Sequence, residues 1–156
     1  MLDEKAARLA AGDLLSRHAW TQRELSARLR RRGAPADVAA TVVADLTARG
    51  YLDDAAFARQ WVLSRSPRGY GAARLRAELR QRGVAAPLID TALAGLDRDA
   101  ALEQARGVAR RRLPALKRIS ADKAGARLRD HLLRRGYSAP VVSRVLRESL
   151  GHEIED

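Results

Sequence analysis

Two adjacent carboxylates, Asp53 and Asp54, are the residues of this chain that most resemble a catalytic or metal-binding pair. They stand in the stretch GYLDDAAFARQW, just before a segment in which Phe57 and Trp61 are four residues apart. A metal site needs further ligands and acid–base catalysis needs a partner group, and neither lies nearby in the sequence. Acids in the first turn of a helix accept hydrogen bonds from unpaired backbone N–H groups and face the positive end of the helix dipole. We therefore predict that the pair caps a helix.

No other motif predicts catalysis. The sequence has no G-x-x-x-x-G-K-[ST] loop, and GYG at 69–71 is too short to be a dinucleotide fingerprint. His18, His131 and His152 lack the spacing of metal ligands, no serine stands in G-x-S-x-G, and there is no cysteine. We therefore expect no enzymatic activity, no metal and no cofactor.

The charge of the chain points to a binding partner instead. Its 156 residues contain 30 Lys and Arg against 19 Asp and Glu, which gives a net charge of +11. Such an excess predicts a polyanionic partner, either nucleic acid, a membrane surface or an acidic protein face. No apolar run is long enough to span a membrane and no signal peptide is present, so we expect a soluble cytoplasmic protein.

Three copies of one helical unit must position any such contacts. The segments LSARLRRRG (25–33), LRAELRQRG (75–83) and LRDHLLRRG (128–136) align, with two leucines four residues apart and a glycine four residues after the second. This pattern indicates an apolar helix face ending at a left-handed C-terminal turn. We accordingly predict Gly33, Gly83 and Gly136 as C-terminal caps.

A proline-containing linker and a second helix follow each glycine, and longer helices over roughly 3–17, 53–66 and 97–113 precede the copies. In WTQREL (20–25), Thr21 and Glu24 form a predicted capping box, with Trp20 and Leu25 as a hydrophobic staple. Thr21, Glu24 and Asp53 complete the set of predicted structural caps. The third copy lacks both devices.

The second copy replaces Thr21 with Gly71 and keeps an aromatic residue, Tyr70, at the Trp20 position. Packing of this aromatic pair is the favoured interpretation, and stacking on a nucleic-acid base is the alternative.

Arginines on exposed helix faces are the candidate contacts. Arg30 and Arg80 project about 140° around their helices from Leu25 and Leu75, so we expect them to face solvent. The arginine before each glycine complements the helix dipole and is predicted to be mainly structural. The predicted partner-binding set is Arg30, Arg31, Arg65, Arg68, Arg74, Arg76, Arg80, Arg110 and Arg111.

These elements predict an all-α fold, a tandem array of three-helix units that is elongated or curved, because each unit needs its neighbours to cover its apolar face. The predicted divisions are an N-terminal helix and first repeat over 1–50, a central repeat over 51–96, a third repeat over 97–150 and an acidic tail over 151–156.

The central block, GYLDDAAFARQWVLSR followed by GYGAARLRAELRQRGV, resembles the signature of the RecX family, bacterial regulators of the RecA recombinase. The preceding AWTQRELSARLRRRG also fits, whereas the segment from 97 onward supports only the repeat plan. The matching positions are Tyr51, Asp53, Asp54, Phe57, Ala58, Val62, Arg65, Gly69, Gly71, Leu75, Glu78, Leu79 and Gly83.

The resemblance implies a non-enzymatic, monomeric modulator that binds RecA filaments on single-stranded DNA and restrains ATPase, strand exchange and coprotease activity during DNA repair, homologous recombination and the SOS response. Two alternatives stay open. One is a helical protein that binds DNA directly without sequence specificity, since helices such as PADVAATVVADL carry no Asn or Gln to read bases. The other is a helical adaptor for a different acidic protein.

Overall fold

The computed structural model describes residues 1–151, and the predicted acidic tail lies outside them from residue 152. Within that range the fold is all-α and contains no strand. The helices are α1 (Glu4–Arg17), α2 (Gln22–Arg31), α3 (Ala36–Ala48), α4 (Asp54–Arg65), α5 (Ala72–Gln81), α6 (Ala86–Ala94), α7 (Arg98–Ile119), α8 (Ala124–Arg134) and α9 (Ala139–Leu150), with a short 3-10 helix at Ser66–Arg68. The predicted tandem three-helix plan is confirmed: each long helix is followed by a pair of shorter ones.

The repeated leucines form the centre of each helix pair. Both leucines of every copy are fully buried: Leu25, Leu29, Leu75, Leu79, Leu128 and Leu132 are 0% exposed. Each copy then turns at its glycine, and Gly33, Gly83 and Gly136 have φ of +105°, +89° and +96°. Left-handed backbone is readily adopted by glycine alone, which explains why the residue recurs at this position.

The chain divides into two compact units that do not follow the repeat boundaries. Unit 1 comprises residues 1–60 with 79–92, and unit 2 comprises residues 61–78 with those from 93 onward. Each unit contains a hydrophobic core cluster of buried residues. In unit 1 it is Ala7, Ala11, Leu14, Leu25, Leu29, Ala34, Ala39, Val42, Val43 and Leu52. In unit 2 it is Leu102, Ala105, Val108, Ala109, Leu116, Ala124, Leu128, Leu132, Tyr137, Val141, Val142 and Val145.

Unit 1 combines the first repeat with the end of the second because the start of α2 packs on the turn after α5. Thr21 is fully buried, and its hydroxyl donates to the carbonyl of Arg82 at 2.7 Å. A guanidinium nitrogen of Arg82 donates back to Glu24 at 3.1 Å. A Cβ atom on Gly83 would overlap the side chain of Arg23, so the glycine allows this close approach.

Unit 2 repeats the arrangement one copy later. The backbone N–H of Gly71 donates to the carbonyl of Arg135 at 2.7 Å, and that of Ala73 donates to the carbonyl of Gly136 at 3.2 Å. A Cβ atom on Gly71 would stand 2.5 Å from the Gly136 oxygen, and one on Gly136 would overlap the backbone of Arg74. Backbone N–H groups at the start of α5 thus donate hydrogen bonds to backbone carbonyls at the end of α8. Both groups would otherwise lack a partner within their own helices.

Helix α7 departs from the predicted end at about residue 113. It continues through Pro114 to Ile119. A proline inside a helix loses one backbone hydrogen bond and usually ends or kinks the helix, which is why the sequence pattern predicted a stop. Leu116 is 9% exposed and belongs to the core cluster of unit 2, so burial of the last turns opposes this cost.

Candidate functional site

A basic cluster in unit 2 surrounds the ring of Tyr70, and we call it the Tyr70 cluster. Gly69 before the ring has φ of +90° and donates its N–H to Ser66, which closes the 3-10 turn. Gly71 after the ring is pressed against the turn at the end of α8. The two glycines therefore hold the half-buried Tyr70 beside the C-terminus of α8.

Three guanidinium groups lie over the Tyr70 ring. The guanidinium carbon is 4.4 Å from the ring centroid for Arg65, 4.5 Å for Arg135 and 5.4 Å for Arg74. All three distances fall within the roughly 6 Å over which a cation is attracted to an aromatic face. One tyrosine thus gathers cations from the end of α4, the start of α5 and the end of α8.

Glu78 supplies the negative charge of the cluster. Its carboxylate accepts two hydrogen bonds from Arg65, at 2.9 and 2.8 Å, and one from Trp61 Nε1 at 3.3 Å. It also lies 3.6 Å from the guanidinium of Arg74. The side chains of Arg65 and Glu78 are 21% and 17% exposed, so this bidentate pair is well shielded and fixes Arg65 in place.

The Tyr70 cluster borders a small open cavity. It has a volume of about 200 Å³ and is lined by Tyr70, Arg74, His131, Arg134 and Arg135. Arg74 donates a hydrogen bond to the carbonyl of Arg134 at 3.2 Å, which connects α5 to the end of α8 beside the cavity. Burial lowers the pKa of His131, and the positive charges of Arg112, Arg135 and Arg134 lower it further.

The rest of the predicted partner-binding set is dispersed. Arg30, Arg31 and Arg80 are exposed and belong to unit 1. In unit 2, Arg68, Arg110 and Arg111 are also exposed, and Arg110 pairs with Glu103 at 3.4 Å. Arg76 is half-buried and lines a second cleft, of about 410 Å³, which Tyr70 also lines. Of the predicted set, only Arg65 and Arg74 meet at Tyr70, and Arg65 is held there by Glu78.

The adjacent acids Asp53 and Asp54 both accept backbone hydrogen bonds, but at different helices. Asp53 accepts from the N–H of Ala56 at 3.0 Å, at the start of its own helix, α4. Asp54 is buried and accepts from the N–H of Gln22 at 3.0 Å, at the start of α2. Burial raises the pKa of Asp54, with smaller contributions from the negative charges of Asp53 and Glu24, while the Gln22 hydrogen bond opposes the rise.

Thr21 caps α2. Its side chain accepts a hydrogen bond from the N–H of Glu24 at 3.2 Å, and its hydroxyl lies 3.2 Å from the Glu24 carboxylate.

Over residues 1–151 no group of three or more His, Cys, Asp or Glu side chains is arranged to hold a metal ion. None of the described helices is long and apolar enough to cross a membrane.

Two family models match the chain. The model described as the second three-helix domain of RecX covers residues 53–93, and the one described as the third covers residues 99–146. The chain belongs to the RecX family. Tyr70 and Arg74 lie in the second matched domain, whereas His131, Arg134 and Arg135 lie in the third.

Curated members of the family cover most of the chain. The "Regulatory protein RecX" of Streptomyces coelicolor is 41% identical over 138 residues, which are 87% of this chain and 73% of that protein. The protein of the same name from Mycobacterium ulcerans is 40% identical over 152 residues, 96% of this chain and 88% of that one. The sequence-based prediction that this chain belongs to the family of RecX regulatory proteins is confirmed.

Solved structures of RecX proteins share the fold. The crystal structure of RecX from Lactobacillus salivarius superimposes with a TM-score of 0.83 at 18% identity and covers 94% of this chain and 96% of that one. A second, titled "Crystal structure of regulatory protein RecX", gives 0.82 at 21% identity and covers 91% of this chain and 70% of that one.

Sequence reasoning missed four members of the Tyr70 cluster. It assigned His131 to a flank, Arg135 to the helix dipole and Tyr70 to packing, and it left Arg134 out of the contact set. The available signal was the repeat itself: Tyr70 replaces Trp20 while a glycine replaces the capping threonine, so the second copy was already changed at the helix start. At this changed helix start the backbone bonds directly to the third copy's turn, and Arg135 of that turn lies over the Tyr70 ring.

Proposed function

We propose that this chain is a non-enzymatic regulator that binds RecA-type recombinase filaments on single-stranded DNA and modulates or inhibits their ATPase, strand-exchange and coprotease activities. The processes served would be DNA repair, homologous recombination and the SOS response. The observation that carries the proposal is the Tyr70 cluster, a concentration of arginines in a chain of the RecX family. The curated relatives bear the name of regulatory proteins, which supports action by binding.

Dispersed exposed arginines support a contact with an extended, anionic partner. Arg30, Arg31 and Arg80 in unit 1, with Arg68 and Arg111 in unit 2, lie exposed, and no hydrogen bond or ion pair occupies their guanidinium groups within residues 1–151. Contacts that are weak singly add through effective concentration when they belong to one chain. A filament that repeats the same surface along its length offers many such contacts.

Recombinase ATPase activity on single-stranded DNA, titrated with this chain, tests the proposal. Binding of the chain to the same DNA without recombinase is measured in parallel by fluorescence anisotropy. We expect inhibition at concentrations well below those that coat the bare DNA, because the filament offers the chain its main contacts. Inhibition only where the DNA is already saturated would mean competition for the strand and would overturn filament binding.

A double charge reversal tests the exposed arginines of unit 1. Arg30→Glu with Arg80→Glu should weaken inhibition of the ATPase at least tenfold, since each substitution changes a contact charge by two. The melting temperature should hardly change because both side chains are exposed. Arg59→Glu with Arg127→Glu, also exposed and outside the predicted set, is the matched control. Equal losses in the two double variants would show that net charge alone matters.

A further inference from the structure

The cavity of the Tyr70 cluster has an excess of positive charge. Four of its five lining residues carry or can carry a cation: Arg74, Arg134, Arg135 and His131. The carboxylate of Glu78 is bonded bidentately to Arg65 and lies farther, at 3.6 Å, from Arg74. Within residues 1–151, neither Arg134 nor Arg135 forms an ion pair, although the two are adjacent. Like charges this close repel one another, and an anion between them relieves the repulsion.

The arrangement of donors suits a phosphate group. Arg74 reaches the cavity from the start of α5, while Arg134 and Arg135 reach it from the end of α8. A tetrahedral phosphate accepts hydrogen bonds from several directions, and arginine forks match its oxygens bidentately. Arg135 lies 4.5 Å from the centroid of the Tyr70 ring, so the ring holds that guanidinium at the cavity. A side-chain carboxylate has only two oxygens in one plane and matches donors arriving from two helices less well than a phosphate does.

His131 couples the cavity to pH. Arg112 of α7 and Arg134 and Arg135 at the end of α8 act on it by charge, and Arg74 and Tyr70 line the same cavity. These cations and partial burial keep the pKa of the imidazole below its ordinary value of 6.5. An anion in the cavity makes the local potential less positive, so the imidazole then binds a proton more readily.

We propose that the Tyr70 cavity is a phosphate-binding site for the backbone of single-stranded nucleic acid, and that His131 takes up a proton when the phosphate binds. The inference deepens the proposed function and rests on it for the kind of strand involved. It assigns a direct phosphate contact to Arg74 of the second repeat and to His131, Arg134 and Arg135 of the third.

Binding of labelled oligothymidylate, without recombinase, tests the site. Arg134→Gln with Arg135→Gln should weaken binding roughly tenfold and lower the slope of log affinity against log salt by about 1.4, for two lost single-strand phosphate contacts. The matched control is Arg59→Gln with Arg127→Gln, which removes the same charge at two exposed positions outside the predicted partner-binding set. We expect a much smaller change of slope there. Equal changes in both variants would overturn the site in favour of diffuse attraction.

The pH dependence of the same binding tests the histidine. For the unmodified chain, affinity should rise about three- to tenfold between pH 8 and pH 6, because one proton taken up per phosphate gives at most tenfold per pH unit. His131→Gln should bind as the unmodified chain does at pH 8 and lose most of this rise. His18→Gln, which changes an exposed histidine of unit 1, should keep it. A rise that persists in His131→Gln would overturn the coupling.

Two further probes distinguish the ligand. An oligothymidylate with an uncharged methylphosphonate backbone should bind weakly and be insensitive to the Arg134 and Arg135 substitutions. Polyglutamate that competes as strongly as the oligonucleotide, with the same sensitivity to those substitutions, would assign the cavity to an acidic protein surface and overturn the proposal. Since these measurements contain no recombinase, their failure leaves filament regulation standing, and failure of the ATPase titration leaves the phosphate site standing.

Discussion

The starts of helices α2 and α5 occupy equivalent positions in two repeats, yet they satisfy their first backbone N–H groups in different ways. Helix α2 uses side chains: Thr21 accepts from Glu24, and Asp54 accepts from Gln22. Helix α5 uses the carbonyls of Arg135 and Gly136 at the end of α8. Both helix starts pack on the following repeat's turn, but α2 reaches that turn through the Thr21 hydroxyl, whereas α5 reaches it with its own backbone N–H groups.

The consequence of the difference is chemical. Trp20 beside Thr21 packs on the core of unit 1 and donates its indole N–H to the carbonyl of Leu14 at 3.0 Å. Tyr70 beside Gly71 instead meets Arg135. The same repeat position thus packs on the core in one copy and contacts cations in the next. In the first copy, Arg82 of the following turn bonds to Glu24, whereas its equivalent Arg135 lies over Tyr70.

The largest expected effect comes from giving α5 the threonine of α2. In Gly71→Thr, the new Cβ would stand 2.5 Å from the Gly136 carbonyl oxygen, and backbone atoms cannot retreat as a flexible side chain can. We expect unit 2 to lose about 3 kcal/mol of unfolding free energy or more, the upper part of the range for overpacking. Urea unfolding followed by Trp61 fluorescence, with Trp20→Phe as the common background, reports on unit 2.

An unchanged midpoint in Gly71→Thr would contradict the close approach of α5 and α8. Gly12→Thr, followed through Trp20 in a Trp61→Phe background, is the control in unit 1, because no atom lies within 4 Å of a Cβ built on Gly12. It should be neutral or slightly stabilising, since threonine is a better helix former than glycine.

The reciprocal change, Thr21→Gly, should cost less. It removes the cap of α2 and the buried hydroxyl bond to Arg82, so we expect a loss of about 2 kcal/mol from unit 1. Trp20 fluorescence in a Trp61→Phe background follows that unit. Asp53→Ala is the comparison, since it removes a single exposed cap bond and should cost about 1 kcal/mol. Equal losses would mean that the Arg82 contact contributes nothing.

The smallest expected effect is a loss of stability in unit 2 as the pH falls. Hydrogen bonds from Arg106, and secondarily from Arg144, lower the pKa of Glu148 from 4.5 to about 2. Because the folded-state pKa lies below the unfolded one, the stabilisation is complete above pH 4.5 and is lost as pH falls toward 2. The melting temperature of the unmodified chain should therefore exceed that of Glu148→Gln at pH 6, and the gap should close near pH 2.

If the difference in melting temperature stayed constant between pH 6 and pH 2, protonation of the Glu148 carboxylate would not be linked to folding. Glu103→Gln is the matched control. Its carboxylate also contacts Arg106, at 3.3 Å, but it is 61% exposed, so we expect a smaller gap at every pH.

Local pattern was enough to predict the helices and their buried faces. The two leucines and the glycine of each copy are four residues apart, a spacing within one helix, and the structure buries all six leucines. The Tyr70 cluster could not be obtained in this way, because it joins residues about sixty positions apart in different repeats. Asp54 gave the same difficulty: its charge and position predicted a cap, but its hydrogen-bond donor belongs to α2, 32 residues earlier.

The staggered packing, in which each repeat's helix start rests on the following repeat's turn, also sets an order for synthesis on the ribosome. Thr21 bonds to a residue 61 positions later, and Arg74 to one 60 positions later. At the roughly 5–20 residues per second of translation, each helix start would wait about 3–12 s for its partner to be made. Unit 1 can therefore be completed before the last residues of unit 2 are joined to the chain, and the Tyr70 cavity is among the last features of the molecule to form.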